Sequence, residues 1–182
     1  MSPHHPHQPA RRSLCFVALA AVLAVGCGGT DTPDAAVNIC DGFQTAYDAF
    51  AAGIEKPGQS GKISVKLLSA TPAPPVRGTN AWTIQVMANQ APAAGAFVTR
   101  VKPFMPDHGH GTSVKPTAGS VEIGDADCAT SPDACKAAVG ADGKLDISNL
   151  DFMMPGVWTI QVSVETASKQ TDAATFAFCI DG

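Results

Sequence analysis

Short runs of alternating apolar and polar residues, repeated from residue 62 onward, constrain the fold of this chain more than any other feature. In each run the apolar side chains fall at positions i, i+2 and i+4, which places them on one face of an extended strand. The seven runs are 62–68, 82–87, 96–101, 120–123, 144–147, 158–164 and 175–180. Segments containing Pro, Gly or Asn separate them. The pattern predicts an all-β fold, an immunoglobulin-like antiparallel β-sandwich of about seven strands.

One pentapeptide, Trp-Thr-Ile-Gln-Val, occurs twice, at 82–86 and at 158–162. An internal duplication is one explanation. The other is that two strands meet the same demand, with Trp, Ile and Val buried and with Thr and Gln facing water. The sequences that flank the two copies do not match, which favours the second explanation.

The segment 41–54 precedes the strand runs and has a different pattern. Its large apolar residues are Phe43, Tyr47, Phe50 and Ile54. Their spacing is that of one face of a helix, and it predicts a short N-terminal helix before the sandwich.

The first 26 residues are typical of a bacterial export signal. Arg11 and Arg12 precede twelve apolar residues, 14–25, and small residues then lead to Cys27. Because a membrane-spanning helix needs about 20 apolar residues, this segment is a signal peptide and not a transmembrane helix.

Cys27 occupies the place of a cysteine that is acylated and becomes the first residue of a lipoprotein. The match is incomplete, since Leu23 lies four residues before Cys27 and the lipoprotein motif prefers Leu three before. Ordinary signal-peptidase cleavage is the alternative. We expect an exported lipoprotein of the cell envelope, anchored to the lipid bilayer and facing the periplasm or the exterior. Residues 27–39 then form a flexible tether, and 40–182 form one domain.

The cysteine count supports lipidation of Cys27. Of the six Cys, Cys15 leaves with the signal, and acylation of Cys27 leaves an even number for disulfides in an oxidising compartment. The remaining cysteines are Cys40, Cys128, Cys135 and Cys179. Three connectivities are open; we favour Cys128–Cys135, which closes a small loop, and hence Cys40–Cys179.

The charge of the exported part excludes a nucleic-acid partner. Export removes Arg11 and Arg12 from the twelve basic residues, which leaves ten against sixteen acidic ones. The basic residues are scattered, whereas phosphate binding requires clustered Lys and Arg.

Two histidines close together are the candidate functional residues. His108 and His110 are the only His after the signal, and in an extended segment they project to the same side. Met105 lies nearby in the chain, and Met153 and Met154 lie in a second phrase, Phe-Met-Met-Pro-Gly-Val-Trp. Imidazole and thioether ligands suit copper, and thioether favours its reduced ion.

Two other interpretations of these residues remain open. Zinc, which is less favoured, would use His108 and His110 with Asp107. Alternatively, the two His form a solvated loop tip and Met153 fills the core beside Trp158.

The two phrases together resemble the YtkA-like domain family, small exported β-sandwiches similar to the periplasmic part of FixH proteins. Met105, Pro106, His110 and Gly111 match its first phrase, Met-Pro-x-x-x-His-Gly. Met154, Pro155, Gly156 and Trp158 match its second, Met-Pro-Gly-x-Trp. The resemblance covers approximately residues 60 to 165 and implies the sandwich fold and an association with copper. The chain departs from the family in having His108 where Met is common, and in the insertion that carries Cys128 and Cys135.

No pattern in the sequence indicates an enzyme, because neither a Ser, His and acid set nor a phosphate-binding Gly-rich loop is evident. We therefore expect a lipid-anchored module that binds copper through Met105, His108, His110 and Met153 or Met154. Its partners would be envelope proteins that donate or accept the metal. The alternative is a metal-free immunoglobulin-like module that contacts another envelope protein.

Overall fold

The computed structural model describes residues 38–123 and 135–181, and the regular secondary structure of these residues is nearly all β. A four-residue 3-10 helix, η1 (Ile39–Gly42), precedes the strands. The strands are β1 (Ile54–Pro57), β2 (Ile63–Thr71), β3 (Gly78–Ala88), β4 (Ala91–Pro92), β5 (Phe97–Met105), β6 (His110–Gly111), β7 (Thr117–Ala118), β8 (Val121–Glu122), β9 (Ala137–Ala138), β10 (Lys144–Phe152), β11 (Gly156–Glu165) and β12 (Thr171–Ile180).

The strands form two antiparallel sheets that share one core, so the predicted all-β sandwich is confirmed. The larger sheet has the order β1-β2-β3-β10-β7-β8, with β4 paired to β3. The smaller sheet has the order β12-β11-β5-β6, with β9 paired to β5. Six long strands correspond to six of the predicted runs, whereas the run 120–123 forms only the two residues of β8.

Each copy of the repeated pentapeptide is an inner strand of one sheet. The first copy lies in β3, between β2 and β10, and the second lies in β11, between β5 and β12. In both copies Trp, Ile and Val are buried, while Thr and Gln are half-buried. The structure therefore agrees with the second explanation, in which two inner strands both require a buried stripe of Trp, Ile and Val.

The predicted N-terminal helix over 41–54 is wrong. Beyond η1 the segment is extended, and Asp48 forms a parallel bridge with Phe178 on the edge of the smaller sheet. The Asp48 N–H donates to the Ala177 carbonyl at 2.7 Å, and the Phe50 ring packs edge-on against Phe178 at 5.9 Å. Pairing with an open sheet edge satisfies the backbone and buries the aromatic residues better than a short helix with little intrinsic stability.

The two sheets meet through aromatic side chains. Trp82 of the larger sheet packs edge-on against Phe176 and Phe178 of the smaller one, with ring centroids 5.6 Å and 5.7 Å away. Phe152 of the larger sheet packs against Trp158 of the smaller one at 5.5 Å. Each of these rings is at most 2% exposed. Burying a side chain of this kind stabilises a fold by about 2–3 kcal/mol.

The disulfide Cys40–Cys179, predicted from the sequence, is present and ties η1 to the end of β12. It joins residues 139 apart in the chain, for which the chain-entropy account gives a stabilisation of about 4–5 kcal/mol. The other predicted partner, Cys128, lies outside the described residues. Cys135 is buried and disulfide-bonded, and Cys128–Cys135 stays a prediction.

A buried carboxylate fixes the turn between β1 and β2. Asp172 accepts backbone hydrogen bonds from Ser60 at 2.9 Å and from Lys62 at 3.0 Å. Gly58 makes this approach possible, since a Cβ there would lie 2.2 Å from an Asp172 oxygen. Burial alone raises the pKa of the Asp172 carboxyl, but the hydrogen bonds from Ser60, Ala173 and Lys62 outweigh it and lower that pKa from 3.8 to about 2.

Cys27, the predicted signal peptide 1–26 and most of the predicted tether 27–39 lie outside the described residues. Within 38–123 and 135–181, no helix is long and apolar enough to cross a bilayer.

Candidate metal centre

The hairpin of β5 and β6 carries both histidines. β5 ends at Met105, whose carbonyl accepts hydrogen bonds from the N–H of His108 at 3.2 Å and of Gly109 at 2.8 Å. Gly109 has a φ of +72°, a backbone conformation that suits glycine and closes the turn. β6 then pairs His110 with Met105. Because cross-strand partners project to the same face of a sheet, these two side chains share a face.

His110 is half-buried, and its surroundings leave one ring nitrogen free to bind a metal. Its Nδ1 lies 3.1 Å from the carbonyl oxygen of Gly111. A carbonyl can only accept, so Nδ1 carries the proton and Nε2 keeps its lone pair. The ring lies 6.2 Å from that of Trp158 at an angle of 78°. Metal-binding histidines commonly have their second nitrogen held in this way.

His108 is exposed and lies beside His110, with ring centroids 5.9 Å apart. An imidazole nitrogen is about 1.1 Å from its ring centroid and bonds a metal at about 2.0 Å, so two rings that share an ion have centroids at most about 6.2 Å apart. The observed spacing lies inside that limit. The Phe43 ring also packs against His108, with its centroid 5.9 Å away.

Met105 is the cross-strand partner of His110 and is fully buried. A Cβ on Gly156 would lie 2.7 Å from the Met105 Cε and 3.2 Å from the Phe43 ring. Gly156 therefore leaves the room in which the Met105 thioether and the Phe43 ring pack. Met105 is both a core side chain and the innermost candidate ligand.

Met153 and Met154 are half-buried and pack against the core. The Trp158 indole N–H donates to the Met154 carbonyl at 2.9 Å, and the Arg77 Nε–H donates to the Met153 carbonyl at 3.2 Å. Trp158 thus contacts both the methionine loop and the His110 ring. The structure brings His108, His110 and Met105 together directly, and it connects the Met153–Met154 loop to them through Trp158.

Asp107, the third ligand of the zinc alternative, has a structural contact in the turn. One of its carboxylate oxygens, Oδ1, accepts the Gln44 backbone N–H at 3.0 Å. Among residues 38–123 and 135–181, no three side chains of His, Cys, Asp or Glu come together as metal ligands. An ion held at this hairpin would therefore depend on the two imidazoles with thioether or solvent ligands.

A cleft of about 350 Å³ opens beside the hairpin. Residues 101–104 and 109–116 line it, and His110 is among them.

Sequence reasoning missed two neighbours of the site. Phe43 was placed in a helix, whereas the disulfide, the edge pairing of Asp48 and the hydrogen bond from Gln44 to Asp107 hold its segment beside His108. Trp158 was identified as a strand residue, and its position four residues after Met154 is the one signal of its link to the methionine loop. No known protein family, curated protein or solved structure matches this chain.

Proposed function

We propose that this chain is an exported, lipid-anchored binding module that captures or buffers a copper ion outside the cytoplasm. The observation that carries the proposal is the pair of imidazoles in the β5–β6 hairpin. The Nε2 of His110 is left as an acceptor by the contact of Nδ1 with Gly111, and the ring of His108 lies at the spacing of a shared ion. Two imidazoles with a neighbouring thioether form a ligand set that copper accepts.

The surroundings of the pair favour a soft ion over a hard one. The Phe43 ring packs against His108, the Trp158 ring packs against His110, and the buried Met105 is the cross-strand partner of His110. Magnesium and calcium take several oxygen ligands, and the nearby Asp107 carboxylate already accepts a backbone hydrogen bond from Gln44. The similarity to YtkA-like domains noted in the sequence agrees with this choice.

Lipid attachment is supported by the cysteine pairing. Cys40 and Cys179 are bonded to each other, and Cys135 is itself disulfide-bonded. If Cys135 pairs with Cys128, Cys27 is the one cysteine left after the signal, and acylation removes a thiol that would otherwise be reactive outside the cytoplasm.

Titration of residues 28–182 with Cu(I), Cu(II) and Zn(II) tests the binding function. We expect a copper dissociation constant in the micromolar range or tighter, and loss of binding in the double variant His108→Ala/His110→Ala. Met105→Leu should weaken binding, whereas Met87→Leu, a half-buried thioether on β3 away from the hairpin, should not. Unchanged affinity in the double variant would refute the proposed site, and the metal-free interaction module would then be the better hypothesis.

The anchor is tested separately in a bacterial host. Cys27→Ser should move the protein from the membrane fraction to the soluble exported fraction and abolish incorporation of labelled palmitate. Cys15→Ser is the matched control, because that cysteine leaves with the signal. Membrane attachment that survives Cys27→Ser would rule out acylation of this residue.

A further inference from the structure

The three candidate ligands of the hairpin are graded from solvent into the core. His108 is exposed, His110 is half-buried, and Met105 is fully buried. All three lie within six residues of one hairpin, so the gradient is built into a single local structure. An ion that arrives from outside meets His108 before the other two.

The two imidazoles also differ in how firmly they are held. His110 lies in β6, its Nδ1 contacts the Gly111 carbonyl, and its ring packs against Trp158. The ring nitrogens of His108 have no hydrogen-bond partner in the described part of the chain, and the ring packs against those of Phe43 and His110. His108 is therefore held by ring packing without a hydrogen bond, whereas the His110 ring is also oriented by the contact of its Nδ1 with Gly111.

The turn that carries His108 is nevertheless fixed in place. The hydrogen bond from the Gln44 N–H to Asp107 joins it to the segment that follows η1, and Cys40–Cys179 holds that segment on the sandwich. An ion bound by His108 at this fixed turn would have a second imidazole 5.9 Å away, so its transfer to His110 would require no movement of the fold.

We propose that the two histidines have different roles, an inference that rests on the copper-binding function proposed above. His108 is the exchange ligand, which bonds the ion while a donor still holds it, and His110 is the retaining ligand. A lone pair of the His108 ring first replaces one donor lone pair on the ion. The Nε2 of His110 then replaces the next, and the donor leaves with its ligands intact. The ion keeps its charge throughout, so the transfer requires no oxidant or reductant.

Stopped-flow transfer of Cu(I) from a chromophoric bidentate chelator to the mature protein tests the inference. The mixing is done under nitrogen without thiols, which would reduce Cys40–Cys179. For His108→Ala we expect the transfer rate to fall about tenfold or more while the equilibrium affinity falls less than that; for His110→Gln we expect the affinity to fall about a hundredfold through faster dissociation. Thermal melting of each variant verifies that it is folded.

The outcomes separate this inference from the function on which it rests. If wild-type protein takes no Cu(I) from weaker chelators, the copper-binding proposal fails. If copper binds but both variants lose affinity equally, or His108→Ala leaves the transfer rate unchanged, the division of roles is overturned and copper binding stands. A rate defect confined to His108→Ala, with an affinity defect confined to His110→Gln, supports it.

Discussion

Trp82 and Trp158 begin identical pentapeptides on inner strands of opposite sheets, yet their indole N–H groups differ in hydrogen bonding. Trp158 donates to the Met154 carbonyl, four residues earlier in the chain. The corresponding carbonyl for Trp82 is that of Gly78, and it accepts instead from the Asn80 side chain at 2.7 Å. The Trp82 Nε1 has no hydrogen-bond partner in the described part of the chain.

The difference shows that an identical local sequence gives the same strand conformation and burial, while the tertiary neighbours decide which further contacts each Trp makes. Trp82 fills the core between Phe176 and Phe178. Trp158 fills the core beside Phe152 and also joins the methionine loop to His110. Trp82 is a core side chain, whereas Trp158 is a core side chain that also borders the candidate metal centre.

Among buried polar groups, loss of hydrogen bonding should change the free energy of unfolding most where the group is charged. Asp172→Ala should lower the free energy of unfolding by about 3 kcal/mol, because it leaves the N–H groups of Ser60 and Lys62 without their acceptor. Urea denaturation at neutral pH measures the loss. A loss of unfolding free energy smaller than that of Trp82→Phe would contradict a large stabilisation by the hydrogen bonds to Asp172.

The same carboxylate makes stability depend on pH in a defined direction. Its pKa is lower in the folded state, about 2, than the ordinary 3.8, so its stabilising effect is complete above about pH 5 and is lost as the pH falls toward 2. Urea midpoints of wild type and Asp172→Asn, compared from pH 6 to pH 2.5, should converge at the acid end. Parallel curves would show that Asp172 does not carry the dependence.

Glycines at the start of the two inner strands allow a matched test of crowding. Gly156 and Gly78 both have positive φ, 130° and 95°, but only at Gly156 would a Cβ meet neighbours, Met105 and Phe43. We expect Gly156→Ala to cost about 2 kcal/mol and Gly78→Ala about 1 kcal/mol, since both bear backbone strain and only the first is also overpacked. Thermal unfolding measures both, and equal costs would argue against tight packing under the histidines.

Replacing each indole by phenyl compares the two Trp directly. Trp158→Phe should cost about 1 kcal/mol more than Trp82→Phe, because only Trp158 loses a hydrogen bond and leaves a carbonyl unpaired. Chemical denaturation of the two single variants gives the difference. If Trp82→Phe is the more costly, the unbonded N–H of Trp82 has a favourable contact with its aromatic neighbours.

The smallest effect concerns fluorescence and depends on the proposed copper site. Copper bound at His110 should quench Trp158, whose ring lies 6.2 Å from the imidazole, more than Trp82. The Trp82→Phe protein should therefore retain most of the copper-induced quenching, and Trp158→Phe should lose most of it. Equal quenching in both variants would place the ion elsewhere.

Local patterns were sufficient for the sandwich and for part of the candidate site. Alternation identified the buried stripes of β3 and β11, and cysteine parity together with loop length identified Cys40–Cys179. The prediction that His108 and His110 project to one side assumed an extended segment, whereas His108 lies in a turn and His110 in β6; their ring centroids are 5.9 Å apart through the geometry of the hairpin. Where local and tertiary preferences conflicted, as in 41–54, the local pattern predicted a helix that the chain does not form.

What the sequence by itself determined is the type and facing of each long strand, because side-chain alternation in an extended chain depends only on nearest neighbours. The tertiary structure alone decided that Phe43 packs on His108, that Trp158 contacts both His110 and the Met154 carbonyl, and that Asp172 fixes a turn more than a hundred residues away. Those contacts join segments that are distant in the chain, and they form only when burial of the shared core brings the two sheets and their edges together. For the same reason Trp82 only fills the core, whereas Trp158, in an identical pentapeptide, also neighbours the candidate metal centre.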